Sequence, residues 1–152
     1  MIDVREDILA RLLVIASGIP NISSAQRNNP DISEGQNPVA VVFDGDEETL
    51  LDATDATMRP PSKPAAVHMR PIIEISDMAT TVGSNLNLWR RELIKGVIYD
   101  TELNTQIVKT GRYGNGAIRY LGCQTDIQWM RTLSGVLRVN FLFKYWFVPD
   151  DL

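Results

Sequence analysis

The chain has 152 residues, of which 44% are hydrophobic and 22% charged, with a formal net charge of −4. That length fits one domain built on one core, and the acidic balance excludes a generally basic nucleic-acid binder, so any DNA contact has to be local. Cys123 is the only cysteine, which excludes an intramolecular disulfide and a zinc site of several thiolates within one chain and points to a reducing compartment.

The opening stretch, MIDVREDILARLL, mixes charges into its apolar residues and contains no uncharged signal core. The longest apolar runs are too short to span a bilayer, so a soluble protein with no membrane partner is expected. Asp3 and Glu6 form a capping-box pattern, and Val4, Ile8, Leu9, Leu12, Leu13 and Ala16 recur at helical spacing until Gly18 and Pro20. This predicts an amphipathic first helix. The stretch Ile22 to Asn28 is weakly strand-like, an edge strand or a loop, and the turn formers from Asn28 to Asn37 follow it.

Pro38 to Phe43 is apolar on both faces and stops at Asp44-Gly45, the pattern of a strand covered on both sides. From Ala65 to Asp77 the residues alternate: Ala65, Val67, Met69, Ile73 and Ile75 on one face, His68, Arg70, Glu74 and Ser76 on the other. Pro71 lacks a ladder donor, which places it on an edge or at a bulge. Between these strands, Gly45 to Pro64 reads as a long loop carrying Asp46, Glu47, Glu48, Asp52 and Asp55, closed by three prolines.

Val82, Leu86, Trp89, Leu93 and Val97 predict a second amphipathic helix, with Trp89 and Leu93 toward the sheet and Arg90, Arg91, Glu92 and Lys95 outward. A short helix near Thr105 to Lys109 and the run Gly111 to Gly116 precede two strands, about Ala117 to Gln128 and Gly135 to Phe147. The last strand is long enough to be central or to project as a ribbon. The order helix, three strands, helix, two strands predicts a single α+β domain: a mainly antiparallel sheet of four to five strands with two main helices on one face.

No catalytic, cofactor or metal site emerges. His68 is the only histidine and falls on the polar face of a strand, with no nucleophile beside it that the sequence reveals. Cys123 reads as a packed small side chain. Asp44 to Glu48 lacks the ligand order of a calcium loop, and Gly111 to Gly116 lacks the glycine spacing of a phosphate loop. The charge distribution says more. From Lys109 to Lys144 there are six basic residues, Lys109, Arg112, Arg119, Arg131, Arg138 and Lys144, against Asp126 alone. Two unlike surfaces result, and in a repeating assembly an acidic arm can dock on a neighbour's basic sheet edge.

The strand Asn37 to Phe43 running into Asp44-Gly45-Asp46-Glu47, the long loop, the alternating strand Val67 to Ile75, the Trp89 helix and the aromatic closing strand resemble the tail terminator proteins of long-tailed bacteriophages. The likeness spans about Val4 to Phe147 and is one of pattern and element order. It implies a fold akin to the tail tube subunit and a non-enzymatic virion protein, assembled in the bacterial cytoplasm. Such a protein forms a hexameric ring that caps the tube, ends its polymerisation and meets the head-side connector, while DNA passes through the lumen without sequence-specific binding. Asp46, Glu47, Glu48, Asp52 and Asp55 are then candidate contacts, with Arg112, Arg119 and Arg138 as basic partners; the loop's target is a neighbour, the tube or the lumen. A different neck component of the head-closure type is the alternative, and a small module binding an anionic ligand is a more distant one.

Overall fold

A computed structural model describes residues 3–28, 38–49, 65–77, 82–107, 116–129 and 133–147. The elements are α1 (Val4–Ser17), β1 (Ser24–Arg27), β2 (Val39–Thr49), β3 (Ala65–Asp77), α2 (Val82–Ile98), a π-helical turn (Leu103–Ile107), β4 (Ala117–Trp129) and β5 (Leu133–Phe147). The chain is α+β, with the element order that the periodicities predict. One five-stranded sheet runs β1-β2-β3-β5-β4. Three of its pairings are antiparallel; β1 joins β2 in parallel as a four-residue edge.

Asp3 caps α1 by accepting the Glu6 N–H at 3.2 Å, and the helix buries Ile8, Leu9, Leu12 and Ala16. It lies over β1 and β2, while α2 lies over β4 and β5. The helices meet where Gly96 faces Ile15 so closely that an added Cβ would stand 2.9 Å from Ile15 Cγ2. Leu86, Trp89, Leu93 and Val97 of α2 complete one core with Val67, Met69, Ile73 and Ile75 of β3 and Leu137, Val139, Phe141, Phe143 and Tyr145 of β5. Trp89 Nε1 donates to the Pro20 carbonyl at 3.1 Å, so the indole's polar edge is satisfied inside that core.

The long β5 is central, flanked by β3 and β4. Val39 to Val42 are all buried, as a strand covered on both faces requires. Pro71 sits in the central strand β3, opposite a bulge: Phe43 pairs with Ile72 and Asp46 with Arg70, leaving Asp44 and Gly45 against Pro71 alone. The missing proline donor thus falls where the ladder is already interrupted. Gly45 has φ +70°, and a Cβ there would stand 1.9 Å from the Arg70 carbonyl oxygen. Only glycine fits.

The bulge corrects the loop boundary. Asp44-Gly45 does not end the strand but bends it, and pairing resumes from Asp46↔Arg70 to Thr49↔Val67. Asp46, Glu47 and Glu48 are therefore strand residues rather than the start of a loop; the remainder of the expected loop, with Asp52 and Asp55, lies outside the described residues. The short helix expected near Thr105 is instead a π-helical turn ending at Ile107, preceded by Asp100 accepting the Leu103 N–H at 2.9 Å. Arg112 and the glycine run before Gly116 also lie outside the described residues.

Candidate functional site: the sheet face opposite the helices and its edges

The bulge decides which way the acidic residues point. Two residues opposite one shift the alternation, so Glu47 faces the helices with Met69, whereas Asp46 and Glu48 face the open side with Arg70 and His68. On the helix side Glu47 is tied down. Its carboxylate accepts from Tyr145 Oη at 2.8 Å and from Arg5 at 3.1 Å, and Arg5 also donates to the Gly45 carbonyl at 3.0 Å. Burial, followed by the Glu47 carboxylate, pushes the Tyr145 phenol above its ordinary range and keeps it a donor.

Beside this latch, Arg27 bridges α1 to the bulge, donating to Asp44 at 2.8 and 3.0 Å and to both Glu6 oxygens. The guanidinium holds the Asp44 carboxyl below its usual value, against the opposing effect of burial. Asn28 Oδ1 accepts the Asp44 N–H at 3.0 Å. The distal half of β2 is therefore clamped by two helical side chains, one edge-strand arginine and one core tyrosine.

On the open face two cross-strand rows carry the charge. One runs Glu48, His68, Lys144, Ala117; the next runs Asp46, Arg70, Leu142, Arg119. Glu48 accepts from Arg70 at 3.0 Å, and further along Glu74 accepts from Arg138 at 2.9 Å. Among the described residues, Asp46, Arg119 and Lys144 make no ion pair. Arg119 and Lys144 border a groove of about 330 Å³ with His68, Ala117 and Leu142. Partial burial lowers the His68 pKa, and Arg70 and Lys144 lower it further.

Of the predicted contact residues, then, Glu47, Glu48 and Arg138 have internal partners, and Asp46 and Arg119 have none among the described residues. They stand at opposite ends of one row, about 14 Å apart at the usual strand spacing. No family model and no curated protein matches the chain. The site accordingly rests on its own geometry.

Among the described residues, both ends of that row lie at open edges. β4 is a 13-residue edge strand on which Leu121 and Ile127 are 49% and 47% exposed. At the other side β1 covers only Val39 to Val42, so among the described residues no strand flanks Asp46 to Thr49. Edges this long are pairing surfaces unless something blocks them. No group of three or more His, Cys, Asp or Glu among the described residues is arranged to hold a metal ion, and no helix among them is long and apolar enough to cross a membrane. Cys123 is half-buried against the core. Sequence reading missed Arg5, Arg27, Tyr145 and Lys144 as site residues; the alternation of β5 put Lys144 on one face with Arg138, but nothing local signalled the long-range pairings of the others.

Proposed function

We propose that this protein is a structural subunit that assembles edge to edge into a closed ring, acting as a tail terminator of a phage or phage-like particle. The observation carrying this reading is the row Asp46, Arg70, Leu142, Arg119, whose ends are opposite in charge and, among the described residues, make no ion pair and stand at two sheet edges with no further strand beside them. β2 and β4 run in opposite directions, because each step β2-β3-β5-β4 is antiparallel. Ala117 to Arg119 of a second copy can therefore meet Asp46 to Glu48 in antiparallel sense, with its Arg119 next to the first copy's Asp46 on the same face; beyond the bulge after Tyr120 its β4 has to turn away, because β1 holds the first copy's edge at Val39 to Val42. The contact is heterologous, and its repetition closes a ring when the rotation allows.

In the ring, the edge ladder supplies affinity and the Asp46–Arg119 pair sets register, since a like-charged or slipped alignment leaves both charges against neutral or repelling neighbours. The hexameric stoichiometry, the tail tube and head-side partners, and the passage of DNA through the lumen come from the resemblance in element order. Electron microscopy of the purified protein mixed with the particle's tail tubes tests the reading. Rings seated on tube ends are expected; rings that bind only head-side proteins would favour another neck component, and monomers with and without tubes would contradict it.

A further inference from the structure

The helical side carries a feature that ring closure at the sheet edges does not use. Along the outer surface of α1 two grooves, of about 400 and 250 Å³, meet at Arg11 and Val14. One opens toward the π-helical turn and is lined by Asp7, Ala10, Glu102 and Ile107. The other opens toward α2, with Ile15, Ile19 and Gly96 as floor and Glu92 as rim. Val14 stands between them, 55% exposed.

Among the described residues, the one cation lining these grooves is already spent. Arg11 donates to both oxygens of Asp100, at 2.8 and 3.0 Å, and lies 3.1 Å from Glu102. The Asp7 carboxylate has no partner among the described residues, and Glu92 has only Arg91 at 3.8 Å. A trough about 16 Å long, the rise of α1 from Asp7 to Gly18, with a lining about half apolar, thus has a net acidic rim among the described residues. Such a trough complements one kind of occupant: a helix with an aliphatic stripe flanked by lysine or arginine, laid against Val14 at i, i+3, i+4 and i+7 spacing.

We infer that the α1 trough is a docking site for a cationic amphipathic helix of a partner protein, independent of the sheet edges. The test is fluorescence anisotropy with the full chain at physiological salt. The labelled probe is a synthetic helix with a leucine stripe and lysines elsewhere; its glutamate-substituted twin is the control. Val14→Asp puts a charge where the aliphatic stripe would sit and Ala10→Arg plugs the trough with a like charge; both positions are exposed, and each change is expected to weaken the lysine peptide by about tenfold or more with an unchanged melting temperature. Glu48→Lys, on the opposite face, is expected to leave affinity unchanged. Failure of the lysine peptide to bind, or equal binding of the glutamate twin, would overturn the inference. So would a loss of binding in Glu48→Lys as large as that in Val14→Asp, which would mark diffuse attraction to an acidic chain. A change in the chain's own sedimentation in Val14→Asp would overturn it as well, because the occupant would then be a second copy.

Discussion

Tyr145 and Glu47 come from strands that are not adjacent, and their contact exists because the bulge turns Glu47 inward. Removing the phenolic hydroxyl with Tyr145→Phe leaves Glu47 with Arg5 and costs about 1–2 kcal/mol, the range for a bond to a charged group that keeps another partner. Urea denaturation measures it. Stability also responds to pH in two windows with separate owners. His68 has a folded-state pKa below 6.5 because of burial and the neighbouring Arg70 and Lys144. As pH falls past 6.5 the unfolded chain takes up this proton before the folded chain does, so stability declines. His68→Gln removes that slope. Asp44 and Asp100 are lowered mainly by Arg27 and Arg11, so their contribution is complete above about pH 4 and is lost on further acidification; His68→Gln leaves this second decline in place. Unfolding curves between pH 3 and 8 separate the two.

At the level of elements, two positive-φ glycines in strands predict unequal outcomes. Gly45→Ala drives a Cβ into the Arg70 carbonyl and straightens the bulge, costing about 3 kcal/mol or more. Gly122, at φ +126°, has nothing within 4 Å of where a Cβ would stand, so Gly122→Ala costs only the backbone strain, about 1–2 kcal/mol. Thermal melts of the pair check this difference. The elements themselves were legible because helical and strand periodicities are local: Leu86, Trp89, Leu93 and Val97 read as one helical face, and Leu137 to Tyr145 as one strand face. The reach of β2 was not. Asp44-Gly45 has the composition of a turn, and only its long-range partner Pro71, itself a residue suited to an edge or a bulge, makes it a bend within a strand. The candidate site was legible to the same degree: charge counting found Asp46 and Arg119, but it had no means of knowing that Glu47, Glu48 and Arg138 are occupied by Tyr145 with Arg5, by Arg70 and by Glu74.

For the whole molecule, the proposed ring closure would depend on one charge pair at two edges. Arg119→Glu is expected to abolish assemblies larger than a monomer, and adding Asp46→Lys to the same chain is expected to restore them, with sedimentation as the readout. Adjacent antiparallel strands hold opposed Cα atoms about 4.5–5.5 Å apart, within reach of a disulfide. The most direct measurement is therefore oxidation of a chain carrying Asp46→Cys and Arg119→Cys with Cys123→Ser. Edge-to-edge closure predicts a covalent ladder that ends at a closed ring, absent from either single-cysteine chain; monomers throughout, or dimers and nothing larger, would contradict it.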